Sequence, residues 1–269
     1  MTVHGDEHHC DGVWIDLDAV LDAAGKGLLD QAARVAASLG ATGLIGESDA
    51  LERTRIPDSL GTLLRGMPED GSAWDLALVD DPSRLEEASA WSARSGGQLV
   101  LSERAVRWAG AEGHAGIGAA RAVTAIWSED AEGEALELVR SSEGWTGFHA
   151  GLDFAGAYRA GAGALAGPIP LLHPALAMAL HELCRTDVER AHSAERQLAR
   201  WVETSLRPAC RSQGLERSEL GRAAIGIGGW LPTEGVFSGQ QVLKLRRPLI
   251  EFAASFGLAP IAKALSEAP

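Results

Sequence analysis

At 269 residues, 46% hydrophobic and 23% charged, the chain is long enough for one α/β barrel or two small domains and carries enough apolar residues for a buried core. Its 24 Lys+Arg against 37 Asp+Glu leave a net charge of −13, which repels phosphate backbones and anionic lipid and argues against nucleic-acid or membrane partners. No apolar run approaches the roughly 20 residues that span a bilayer, and three cysteines (Cys10, Cys184, Cys210) with neither a CxxC pair nor a signal-like start point to reduced thiols in a cytoplasmic protein.

Residues 1–12 read as a flexible leader. Its His4, Glu7, His8, His9 and Cys10 are metal-ligand types, but a tail without a closing partner makes a poor site, so no metal is expected. From there short apolar runs alternate with helical patterns, the signature of βα units around a parallel sheet. Val13–Val20 reads as a strand, Leu28–Leu39 as an amphipathic helix, Thr42–Gly46 as a strand and Ser59–Met67 as a helix. Trp74–Val79 is a strand, Asp81-Pro82-Ser83 opens a helix running to about Ser95, and Gln98–Leu101 is the next strand. Arg104–Ala111 is helical, Gly113–Ala120 is ambiguous, and Val123–Trp127 is a strand. Glu132–Ser141 (helix), Thr146–His149 (strand), Phe154–Arg159 (helix) and Gly163–Ala166 (strand) continue the alternation. Helices alone follow, at Pro174–Leu183, Val188–Arg207 and Gln240–Phe256, with a Gly/Pro-rich stretch from Gly226 to Gly235. Gly226-Ile-Gly-Gly229 lacks the flanking strand and helix of a dinucleotide loop and reads as a hinge or turn, and no cofactor motif occurs elsewhere. The expected organisation is a barrel over 13–175, with 176–269 as C-terminal helices that complete it and supply oligomer contacts.

Thr146 to about Arg200 carries a resemblance. Phe148-His149-Ala150-Gly151-Leu152-Asp153, the glycine-rich Ala160–Gly167, the helix begun by Pro174 and the run from Asp187 to Gln197 resemble successive motifs of the dihydrodipicolinate synthase / N-acetylneuraminate lyase family. Gly43-Leu44-Ile45-Gly46-Glu47 and Asp75–Leu101 are weaker echoes upstream. The resemblance implies a (β/α)8 TIM-type barrel, with one βα unit shortened or missing between the fourth strand and Trp127, plus a C-terminal helical extension, and a homodimer or higher homo-oligomer. The family's Schiff-base lysine closes the sixth strand; the aligned stretch here, Thr124–Asp130, has Trp127 in that place. The only lysines are Lys26, Lys244 and Lys263, and the only tyrosine, Tyr158, falls outside the place of the family's proton-relaying tyrosine.

Ligand sites of parallel barrels are built at strand C-terminal ends. Those ends supply Asp16, Asp18, Glu47, Ser48, Asp80, Asp81, Ser102, Glu103, Trp127, Ser128, Glu129, His149, Gly151 and Asp153, an acidic rim on an aromatic floor. Neighbouring carboxylates raise one another's pKa and can act as general acid and base, or equally bind a cationic substrate or a hard divalent ion, although Asp and Ser at such places also cap helices. His149, Asp153, Glu129 and Glu47 are the catalytic candidates. Trp127, Ser128, Asp16, Asp80, Ser102, Glu103 and Gly151 are the candidates for substrate binding, with Trp127 as a stacking wall or a core residue. The expected function is a lysine-independent lyase, hydro-lyase or cyclase acting on a small molecule in specialised biosynthesis. The alternatives are a catalytically inactive barrel that binds a metabolite or serves as the partner subunit of a true family member, and a Schiff-base aldolase using Lys244 or Lys26.

Overall fold

Eight parallel strands close into a barrel in sequence order: β1 (Gly12–Asp16), β2 (Gly43–Gly46), β3 (Gly61–Arg65), β4 (Leu76–Val79), β5 (Gln98–Ser102), β6 (Val123–Ser128), β7 (Thr146–His149) and β8 (Ala162–Leu165), with β8 pairing back onto β1. The structure, a computed structural model, describes residues 10–66, 74–111, 123–128, 134–141, 145–215, 220–232 and 236–268. Helices between the strands are α1 (Leu17–Ala24), α2 (Leu29–Ser38), α3 (Ser48–Glu52), α4 (Leu85–Ser95), α5 (Glu103–Ala111), α6 (Glu134–Ser141) and α7 (Phe154–Arg159). After β8 come α8 (Pro168–Leu172), α9 (Pro174–Thr186), α10 (Val188–Trp201), α11 (Arg207–Ser212), α12 (Leu220–Gly228), α13 (Gly239–Ser255) and α14 (Ala259–Glu267). No described helix is long and apolar enough to cross a membrane.

Strand side chains alternate between the two faces of the wall, and this period of two decides what reaches the cavity. Trp14, Ile45, Leu63, Leu76, Val100, Ala125, Phe148 and Ala164 fill the barrel. Their neighbours Val13, Ile15, Leu44, Leu64, Ala77, Leu99, Ile126 and Leu165 meet the helices outside. Trp14 stands edge-on to Phe148, with ring centroids 5.2 Å apart, and its indole N–H donates to the Cys10 carbonyl at 2.8 Å. Its ring needs the missing side chain of Gly43, the residue paired with it in β2, where a Cβ would lie 2.3 Å from the indole.

The segment expected to be helical at Ser59–Met67 is β3 instead. Thr62, Leu63 and Leu64 are all buried because a parallel strand is covered on both faces, so the run lacks the alternation that marks a half-exposed strand. Asp75 fixes it, accepting from the Thr62 amide at 2.8 Å and hydroxyl at 2.9 Å. All eight strands are therefore present. The two strands read as third and fourth are β4 and β5, and Trp127 lies in the sixth with no unit missing before it.

Other boundaries shift for local reasons. The first strand stops at Asp16, not Val20, because the Asp16 carboxylate accepts the amides of Asp18 and Ala19 and starts α1. Ile225–Gly228 is the end of a helix, so the glycines from Gly226 do not form a free hinge. The helix expected over Val188–Arg207 passes through a π-helical turn at Val202–Leu206 into α11. Pro208 lies there and cannot donate to the carbonyl four residues back, a cause of local rewinding. His4, Glu7, His8, His9, Glu129 and the Gly113–Ala120 stretch lie outside the described residues, whereas Cys10 is buried at the barrel floor.

Candidate active site

An open cavity of 1120 Å³ occupies the C-terminal mouth of the barrel. Its wall comprises residues that close the inward rows of the strands, Asp16, Arg65, Leu78, Ser102 and Trp127, and residues of the loops and helices after them. Asp16, Asp80, Ser102, Glu103, Trp127, Gly151 and Asp153 all line it, so most of the expected binding residues converge on one space. Glu47 and Ser128 do not. The Glu47 side chain is exposed away from the wall, and Ser128, completely buried, sits on the outward face of β6.

His149 also lies behind the wall. Phe148 points inward, so its neighbour must point outward, and His149 is only 1% exposed. Its Nε2 lies 2.8 Å from the Oδ1 of Asp153, whose side chain is half exposed to the cavity. The imidazole therefore orients a carboxylate and does not itself form part of the cavity wall. His149 Nδ1 has no hydrogen-bond partner among the described residues.

Asp153 occupies the N-cap position of α7 but makes no capping hydrogen bond there. Glu195, reaching across from α10, accepts the Ala155 amide at 2.7 Å and the Gly156 amide at 3.4 Å. A second carboxylate thus meets the helix start, while Asp153 meets His149 and lines the cavity. Local sequence carries no sign of this long-range cap.

Among the described residues the rim is mixed, with Arg65, Arg104, Arg107 and Arg207 lining the cavity together with Asp16, Asp80, Glu103 and Asp153. Arg65 was hidden by the helical reading of β3, although Gly61 and Gly66 bracketing an apolar run were the signal for a strand. Its Nη2 meets Asp16 Oδ2 at 2.6 Å, its Nε lies 3.7 Å from Asp18 Oδ2, and its guanidinium carbon stands 5.8 Å from the Trp127 ring centre. Trp127 is also stacked on Phe148, with centroids 5.9 Å apart and planes 18° from parallel. Arg107 pairs with Glu103 at 2.7 Å and Arg207 with Glu203 at 2.5 Å.

None of the three lysines lines the cavity; Lys26 pairs with Asp49 and Lys263 with Glu267 on the surface. The cysteines are buried, and burial pushes the thiols of Cys10 and Cys184 up to about 12, which keeps them protonated. Among the described residues no three His, Cys, Asp or Glu side chains are arranged to hold a metal ion.

Burial raises the Asp18 carboxyl to about 6, aided by Asp16 and Glu47 and opposed by the Glu47 amide and Arg65. Burial lowers His173 to about 4. Between pH 4 and 6 the folded protein holds a proton on Asp18 that the unfolded chain has released, so this contribution to stability falls as pH rises. His173 runs the other way, since below its ordinary pKa the unfolded chain takes up a proton that the folded one refuses, and stability is lost on acidification. The two slopes oppose one another in the native chain. Asp18→Asn is expected to lose more stability than the native protein, and His173→Gln less, on going from about pH 6.5 to about pH 4.5, each difference being on the order of 2 kcal/mol. Urea unfolding at the two pH values measures this, and three identical pH dependences would contradict it.

No protein-family model and no curated protein matches the sequence. Solved structures do match the fold. A dihydrodipicolinate synthase family protein from Coccidioides immitis is 14% identical, with 92% of this chain and 97% of that one covered and a TM-score of 0.56. An N-acetylneuraminate lyase from Fusobacterium nucleatum is 13% identical over 92% and 99% of the two chains, with a TM-score of 0.58. A dihydrodipicolinate synthase from Thermotoga maritima is 13% identical over 90% and 98%, with a TM-score of 0.51. The chain shares the barrel and C-terminal helices of these proteins.

Proposed function

We propose that the protein is a small-molecule lyase, hydro-lyase or cyclase that works at the barrel mouth without a Schiff-base lysine. The observation that carries this reading is the cavity itself, open and ringed by converging charged groups, with no amine in its wall. The names of two fold relatives, a lyase and a synthase, fit a reaction that makes or breaks a bond beside an acidic carbon. Imine chemistry needs a positioned amine, and here Trp127 stands where the resembling family has one. The work left to this chain's residues is proton transfer and charge stabilisation. Asp153, held by His149, exchanges a proton with the bound molecule. Asp16, Asp80, Ser102, Glu103 and Gly151 shape and orient it, and Trp127 backs it. Glu129 follows β6 and belongs to the same proposed set; Glu47, Ser128 and His149 act from outside the wall.

Specialised biosynthesis is the proposed setting, in the cytoplasm, with no cofactor, no nucleic acid and no membrane, as a homodimer or larger assembly through the C-terminal helices. Buried thiols outside any disulfide suit a reducing compartment. The competing reading is an inactive barrel that only binds, favoured by the covering of Trp127 by Phe148 and Arg65.

Candidate substrates from neighbouring genes should be turned over, and Asp153→Asn should slow turnover by about 10²–10⁴-fold while the fold is retained. Borohydride reduction with pyruvate should leave no adduct. An adduct would restore the Schiff-base reading, and binding without turnover across the substrate set would favour the inactive barrel.

A further inference from the structure

A second cavity, of 440 Å³, lies among the C-terminal helices, apart from the barrel mouth. It opens between the end of α12, the segment that follows it and the first turns of α13. Among the described residues its larger side chains are Leu231, Val236, Phe237, Val242 and Leu243, and its one charged group is Arg246. The walls are fixed without a ligand. Trp230 donates its indole N–H to the Leu171 carbonyl at 2.7 Å, and Gly228 approaches α8 so closely that a Cβ there would stand 1.6 Å from the Leu172 oxygen. Both contacts hold the end of α12. Across the cavity, Ser238 and Gln241 form a reciprocal capping box that sets the start of α13.

The volume falls within the range of small-molecule sites, roughly 300–1,000 Å³. A protein partner is less suited, since a stable interface covers on the order of 800 Å² per partner. Leu243, 66% exposed, is the one large apolar side chain that stands out from the described surface.

Arg246 decides the class of ligand. It is 2% exposed, and its nitrogens are turned to backbone carbonyls, Nε to Ile227 at 2.7 Å, Nη1 to Ala268 at 2.6 Å and Nη2 to Gly226 at 3.5 Å. Such bonds run along the plane of the guanidinium, so an acid group would have to compete with carbonyls for that edge, whereas the flat face needs no hydrogen-bond acceptor. An aromatic ring meets a cationic face favourably through its π cloud. A saturated molecule of the same shape gains only the burial of its apolar surface.

We propose that this cavity binds a neutral, planar aromatic molecule of bicyclic size, lying on the Arg246 guanidinium and walled by Phe237 and Leu243. The site stands whether or not the barrel mouth is catalytic, because it shares no residue with that cavity.

Isothermal titration calorimetry on the full chain near pH 7 compares 2-naphthol, uncharged there, with its saturated analogue decahydro-2-naphthol and with the anion 2-naphthoate. 2-Naphthol should bind, decahydro-2-naphthol at least about fivefold more weakly, the ratio that one cation–π contact supplies, and 2-naphthoate no more tightly than 2-naphthol. Leu243→Glu changes an exposed position and should leave the fold intact while weakening 2-naphthol by about fivefold or more. In a crystal soaked with 6-bromo-2-naphthol, the anomalous bromine peak should lie between Phe237 and Leu243. No binding of 2-naphthol, equal binding of the saturated alcohol, tighter binding of 2-naphthoate, unchanged affinity in Leu243→Glu or a bromine peak at the barrel mouth would each overturn the proposal. A native chain that sediments as a dimer and becomes a monomer in Leu243→Glu would assign this face to a second copy and overturn it as well.

Discussion

Replacing Trp14 with alanine should lower the unfolding free energy by about 3–5 kcal/mol, the range for removing a large aromatic side chain from a packed interior. Trp14 is almost wholly buried, leans on Phe148 and fits against Gly43 and Gly61, neither of which can refill the space. The residual void would lie directly beneath the aromatic pair that floors the cavity. For a chain of this size the loss corresponds to a fall in Tm on the order of 10 °C. Calorimetry with urea unfolding would measure it, and a loss under about 1 kcal/mol would mean that the barrel interior collapses around the change.

A comparable loss, about 3–5 kcal/mol, is expected from Arg246→Met, for a polar reason. Arg246 is 2% exposed, with Nε donating to the Ile227 carbonyl at 2.7 Å and Nη1 to the Ala268 carbonyl at 2.6 Å. It joins the end of α12 to the residue after α14, and α12 carries Leu220 and Gly221 into the cavity wall. Methionine keeps the length of the stem but strands those carbonyls without their donor. If unfolding curves of the two proteins superimpose, water replaces the guanidinium at no cost and this account of the C-terminal helices fails. Hydrogen exchange should report the loss first in α12 and α14.

The alternation of apolar runs with helical stripes suffices for a βα architecture, because each run must be covered on both faces. It also points to a ligand site at the strand ends, since the inward-facing side chains there share one space, whereas Glu47, Ser128 and His149 face away from it. Asp16, Asp80, Ser102, Glu103, Trp127, Gly151 and Asp153 were legible in this way, and all of them line one cavity. β3 was not legible from its period, since Thr62-Leu63-Leu64 is uniformly buried, and only the glycines bracketing the run marked it as a strand. Arg65 disappeared with it.

What only the tertiary structure decided is which face each residue takes and which distant partner it meets. His149 and Phe148 are adjacent in sequence, yet the pleat sends one behind the wall and the other into the barrel. Glu195 reaches the start of α7 from a helix some forty residues away, while Asp16 meets Arg65 across β2. These pairings span distances along the chain over which local pattern carries no information, because they are set by barrel closure and helix docking. Sequence therefore determined the wall from which the site is built, and folding determined which charges stand together in it.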